Sequence, residues 1–201
     1  MKIGNLKGIF LKVGIGVLAW APLTEAGQRL KHESRVVDFR NKNTQSKHSQ
    51  FQILLKLKVV ASVDAPVVNG RRVQAVSFFS FGDYVAVAYA VAGEAQVGAI
   101  DIVSLKDLQR LQILSSRHYP RFDLNAIHVD SQFVYATGAE QDIGANLIKV
   151  GIAKNGSLSP VFQNIRLPSY AGTGISSLGS NLYVTTGNTG GLYQISKKTL
   201  Q

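Results

Sequence analysis

Asp83-Tyr84-Val85-Ala86-Val87-Ala88 returns as Gln132-Phe133-Val134-Tyr135-Ala136-Thr137, and again as Asn181-Leu182-Tyr183-Val184-Thr185-Thr186. The three copies begin 49 residues apart. Each is a run of β-branched, aromatic and small residues, the composition of a strand on a pleated, half-buried surface. A strand-rich echo at a fixed period of roughly 40–50 residues is the signature of propeller blades. The expectation is an all-β chain of antiparallel four-stranded blade repeats, a partial β-propeller with two full blades and an incomplete third.

Working outward from these copies, the first repeat predicts strands over 73–81, 84–91, 98–103 and 108–114, with Gly82-Asp83 as its first turn. The second predicts strands over 124–129, 133–137, 146–152 and 160–167, with Asn155-Gly156 as a hairpin turn. The third predicts 174–178, 182–186 and 191–195. The third strands also match: Ala99-Ile100-Asp101-Ile102, Leu147-Ile148-Lys149-Val150 and Leu192-Tyr193-Gln194-Ile195 each hold one polar residue between apolar ones. That alternation predicts a strand with one face buried between stacked sheets.

Ahead of the repeats, the chain divides in two. Lys2, Lys7 and Lys12 precede an uncharged run over 13–23, and Thr24-Glu25-Ala26 follows. This is the layout of a secretory signal peptide over 1–26, cut after Ala26. The run is shorter than the roughly 20 apolar residues a membrane helix needs, so no membrane span is expected after cleavage. Localisation is accordingly expected to be exported: periplasmic, cell-surface or extracellular. Residues 27–50 read as a flexible basic linker, in which Val36-Val37-Asp38-Phe39 could add a short strand. The repeats occupy 51–201, opened by a strand over 51–60.

The formal net charge is +10, and it is unevenly placed. Residues 1–72 hold 13 Lys or Arg against 4 Asp or Glu, whereas 73–201 hold 9 against 8. A nucleic-acid binder would carry its basic face on the folded domain itself, so no nucleic-acid partner is expected. The chain has no cysteine, which excludes disulfides, thiolate metal sites and thiol nucleophiles.

The pattern resembles the bacterial exported propellers built from LVIVD-like or YncE-like repeats. The resemblance rests on the second strands at Tyr84, Phe133 and Leu182 and on the glycine-led third strands at Gly98 and Gly191. It covers roughly 51–201. Propellers close with about four to eight blades, so this chain would not close alone. The expectation is a fragment of a longer reading frame, with a ring assembled from several chains, or an open stack of sheets, as the other resolutions.

In such a fold the loops between second and third strands, and between successive repeats, share one face where ligands bind. Two clusters fall on loops of that kind. Arg117, His118 and Arg121, with Tyr119, put two guanidinium groups beside an imidazole, a set able to hold a carboxylate or phosphate. Glu140 and Asp142, with Gln141, could offer oxygens to a hard cation, although they lack the spacing of a calcium loop. Glu94 occupies the loop comparable to that of Glu140 in the preceding repeat. His128 lies on an inner strand, where a hydrogen-bonded packing role is expected. There is no Gly-x-Ser-x-Gly elbow, phosphate loop or His-Glu-x-x-His motif. No catalytic residue, cofactor or metal is therefore assigned. The functional expectation is a scaffold that binds a protein or small-molecule ligand, with homo-oligomerisation as one way to supply missing blades. The alternative is a metal-dependent, lactonase-like propeller hydrolase.

Overall fold

The computed structural model describes residues 28–39, 55–93, 95–188 and 190–200. The expected signal peptide, Glu94 and most of the linker lie outside the described residues.

Three antiparallel meanders carry the repeats. The first sheet is β5 (Gln74–Phe81), β6 (Tyr84–Ala90), β7 (Gly98–Ser104) and β8 (Gln112–Tyr119), hydrogen-bonded in that order. The second is β9 (Phe122–Val129), β10 (Phe133–Glu140), β11 (Gly144–Ile152) and β12 (Leu158–Arg166). The third has three strands, β13 (Gly172–Leu178), β14 (Asn181–Thr186) and β15 (Leu192–Ser196). Ahead of them run two hairpins: β1 (Leu30–Phe39) with β2 (Leu55–Val63), and β3 (Val67–Val68) with β4 (Arg71–Arg72). Turn chemistry places the reversals. Gly82, Gly156 and Gly179 take φ of 53°, 85° and 57° at three of them, a region in which glycine has no Cβ to clash.

The sheets stack face to face. Ala86, Ala88, Ile100 and Ile102 of the first meet Leu124, Ile127, Val134, Ala136, Ile148 and Val150 of the second in one apolar layer. A second layer joins Tyr135, Ala145 and Leu147 to Leu182, Val184 and Ile195 of the third sheet. The inner strands β5, β9 and β13 are neighbours, whereas the outer strands β8 and β12 barely touch, so the first two sheets fan outward from their first strands. Residues 79, 128 and 177, spaced by the repeat of 49, mark this inner line. The ring of Phe79 meets that of His128 at 4.4 Å, and His128 Nε2 lies 2.7 Å from the Ser177 hydroxyl. His128 thus has the packing role expected of it, and burial together with nearby Lys197 holds its pKa below the ordinary imidazole value.

Three expectations are revised. Leu30–Phe39, placed in a flexible linker, is a ten-residue strand paired along β2. Its polar residues hid it, because a strand in an antiparallel pair needs no continuous apolar run. Its partner's Ala61 and Val63 pack on Val103 of the first sheet and on Leu111, which precedes β8.

The fourth strand of the first repeat begins at Gln112 rather than at 108. The Asp107 carboxylate accepts the Gln109 N–H at 2.9 Å, and its carbonyl accepts the Arg110 N–H at 3.0 Å. This side chain-stabilised turn outcompetes the ladder over 107–110.

The third sheet departs from the pleat that the 49-residue echo implies. Val85 and Val134 face the layer on the N-terminal side of their sheets. Tyr183, 49 residues on, alternates with Leu182 and Val184, and it is these two that face the second sheet. One residue of slip turns every side chain over, and this phase buries the more apolar set.

Candidate functional site

A meander sends its second-to-third-strand loop and its exit to the same end of the sheet. That end of the stack therefore gathers residues 91–93, 95–97, 120–121, 141–143, 167–171, 187–188 and 190–191. Hydrogen bonds stitch the connections together. The Gln141 N–H donates to the Arg121 carbonyl at 2.9 Å, and the Gly187 N–H to the Ala171 carbonyl at 2.9 Å. The Ser169 hydroxyl donates to the Gly187 carbonyl, and Asn125 Nδ2 to the Gly172 carbonyl at 3.0 Å. Glycines permit the close approach: a Cβ on Gly98 would stand 2.5 Å from the Tyr89 carbonyl oxygen, and one on Gly138 would overlap that of Asp123.

The candidate residues separate into three. Arg121 and Asp142 are brought together, with Nη2 to Oδ2 at 2.8 Å, and both side chains are well exposed at 62% and 74%. Asp142 holds φ at 66° in the tight turn between β10 and β11, a conformation that aspartate tolerates better than most residues. Glu140 closes β10, and its carboxylate accepts a hydrogen bond from the Asn146 side-chain amide. The Asn146 Oδ1 is buried and without a hydrogen-bond partner. Arg121, Asp142 and Glu140 thus border one turn.

Arg117 lies elsewhere. The strand β8 runs through Tyr119, so Arg117 and His118 are ladder residues rather than loop residues. The Arg117 guanidinium donates to the carbonyls of Ser159 and Pro160, the latter at 2.8 Å. It lies over the rings of Tyr119 and Phe162, with centroids 5.3 and 4.9 Å away. This clamp joins the outer strands of two sheets and uses the guanidinium in packing. His118 is exposed on β8, pairs with Ala99, and points to the opposite face from Arg117.

Two buried carboxylates escape a reading of the sequence. Asp123 lies at the start of β9 and accepts the Val91 and Val97 N–H groups at 3.2 and 3.0 Å, fastening the loop between β6 and β7 to the next repeat. Burial raises its pKa above the ordinary carboxylate value, against the lowering effect of those two amides. Asp101, taken from the pattern as the polar residue of an alternating strand, is fully buried and paired with Arg29. Tyr89, beside this pair, has its phenol pKa raised mainly by burial. No local signal points to the Arg29–Asp101 contact, because its partners are 72 residues apart.

Among the described residues no three His, Asp or Glu side chains converge as a metal site, and no helix is long and apolar enough to cross a membrane. No protein-family model matches the chain, and no curated protein matches it.

Proposed function

We propose that this protein is an exported, propeller-type repeat scaffold of the LVIVD-like or YncE-like kind, whose loop-bearing end binds an anionic ligand at Arg121. The observation that carries this reading is the Arg121–Asp142 ion pair. An exposed guanidinium already holding a carboxylate at 2.8 Å offers the geometry a ligand carboxylate would use. Asp142 is the group such a ligand displaces, since an exposed pair of this kind is worth only about 0–1 kcal/mol. The stitched backbone around it supplies a rigid support, which a binding site on loops otherwise lacks. Lys2, Lys7 and Lys12 ahead of the uncharged stretch 13–23 support export, and the fanned sheets support blade-like stacking.

The test is a titration of the full chain with citrate and with inorganic phosphate, followed through the backbone amide resonances. Expected are saturable shifts at Arg121, Gln141 and Asp142 that vanish in Arg121→Ala and persist in Arg117→Lys. Shifts that survive Arg121→Ala, or no shifts up to millimolar ligand, would overturn the assignment. Calcium chloride separates the metal-hydrolase alternative: saturable shifts at Glu140 and Asp142 that Arg121→Ala does not remove would favour it.

A further inference from the structure

The first strands of the three repeats meet at one imidazole. His128 on β9 stands between the Phe79 ring of β5, with centroids 4.4 Å apart, and the Ser177 hydroxyl of β13, 2.7 Å from its Nε2. It is half-buried there, and imidazole is the side chain whose charge changes near neutral pH. The third sheet brings a cation to the same place. Lys197 directly follows β15, and its Nζ lies 3.7 Å from Oδ2 of Asp130, which directly follows β9. The Lys197 carbonyl accepts a hydrogen bond from Lys149 Nζ of β11 at 2.7 Å.

From this junction we infer an acid-sensitive hinge, in which protonation of His128 loosens the third sheet from the second. A neutral imidazole nitrogen either accepts the Ser177 proton or donates its own, whereas the imidazolium can only donate. The new charge is partly withheld from water. It also faces the Lys197 ammonium and competes with it for the Asp130 carboxylate. Opening the third sheet relieves all of these costs, because it returns the imidazolium to water and carries Lys197 away. The apolar layer of Leu147, Leu182, Val184 and Ile195 opposes the opening, so the response is a local one rather than global unfolding.

The remaining groups around His128 leave its charge balance to Lys197 and Asp130. Tyr135, its cross-strand neighbour on β10, donates its phenol to Asp130 Oδ2 at 3.1 Å, and burial first and Asp130 second hold that phenol neutral. Of the first-sheet strands packed on β9, β5 contributes Phe79. On β6, Tyr84 donates its phenol to the Lys154 carbonyl at 3.4 Å, under the Lys106 ammonium. On β7, Asp101 alternates with Ile100 and Ile102, which face the second sheet, and it is paired with Arg29.

The direction of the pH response follows. Burial, and then Lys197, hold the folded-state pKa of His128 below its ordinary value of about 6.5, while Asp130 acts the other way. The neutral ring's contribution to stability is therefore complete above about pH 6.5 and is lost as pH falls toward the folded value. Asp123 acts with the opposite sign, and a comparison with His128→Gln, which leaves Asp123 in place, removes its share. The inference is independent of ligand binding at Arg121.

The test is amide hydrogen exchange of the full chain between about pH 7.5 and pH 5, read as protection factors, together with the proton resonance titration of His128. Expected are a His128 midpoint below about 6.5 and a fall in protection of at least about twofold at Leu182, Val184 and Ile195. His128→Gln, which keeps a partner for Ser177 but cannot take a proton, is expected to abolish the fall. Lys197→Met is expected to shrink it, and Asp130→Asn to enlarge it. Circular dichroism at about pH 7.5 establishes that the variants fold, and the wild-type titration stands without them. A His128 midpoint at or above about 6.5 overturns the inference. So does a fall in protection that His128→Gln retains, or one of equal size at Ile100 and Ile148, which would mark global destabilisation.

Discussion

Asp123 shows how much one buried carboxylate can organise. Its oxygen gathers the Val91 and Val97 amides and so ties one repeat's loop to the first strand of the next. Asp123→Ala removes the side-chain acceptor of the Val91 N–H and leaves the Val97 N–H only the Ala95 carbonyl, at 3.0 Å, and a loss of about 1–3 kcal/mol in urea unfolding is expected. The pH dependence has a definite sign. The folded-state pKa is raised, so the native protein holds this proton more tightly than the unfolded chain. Its contribution to stability is therefore greatest below the unfolded value of about 3.9 and falls as pH rises through the folded value. Asp123→Asn cannot ionise and is expected to lack this share of the fall. Parallel stability curves for wild type and Asp123→Asn above about pH 4 would contradict the direction.

Residue identity did not reveal this role, because Asp123 reads as the end of a polar loop until β9 is seen to start at Phe122. Arg117 is the converse. Its type and neighbours suggest an anion site, but its guanidinium is occupied by two carbonyls and two rings. A side chain's chemistry is visible in sequence, whereas its prior engagements are not.

At the scale of the element, most strands are legible. Eleven runs singled out by composition correspond to β5–β15, with the ends of several displaced. The turns at Gly82 and Gly156 carry their own signal in residues suited to positive φ. The third sheet is where local pattern and packing part. The echo assigns Tyr183 and Thr185 the inward positions, whereas the fold buries Leu182 and Val184. Leu182→Ala is accordingly expected to cost about 2–5 kcal/mol, and Thr185→Ala within about 0.5 kcal/mol, both read from denaturant unfolding. The reverse ranking would restore the phase of the echo. The slip was hidden because Tyr183 and Val184 are both good strand residues, so propensity alone does not choose between the two phases.

At the scale of the whole molecule, the stretch around Arg29 is part of the folded body. Arg29 Nη2 contacts Asp101 in the interior of the first sheet, and Arg29 Nε donates to the Asp64 carbonyl at 2.9 Å. The side chains of the pair are 8% and 0% exposed. Removing one partner of a buried ion pair leaves a charge without compensation, and Arg29→Ala is expected to cost about 3–5 kcal/mol. The double replacement Arg29→Met with Asp101→Leu is expected to cost less than Arg29→Ala alone, since no buried charge remains. A double variant less stable than either single one would refute this account.

The sequence alone determined the all-β class, the spacing of the echo and the order of the repeat strands β5–β15 with the turns at Gly82 and Gly156. These depend on local composition and on periodicity, which neighbouring residues express without help from distant ones. Tertiary structure alone decided which way the third sheet turns, that Leu30–Phe39 pairs with β2, that Asp101 is buried against Arg29, and that Arg121 rather than Arg117 stands beside Asp142 at the loop-bearing end. Each of these depends on burial or on contact between residues far apart in the chain. Their energies exist only once the sheets have stacked and water has been excluded between them.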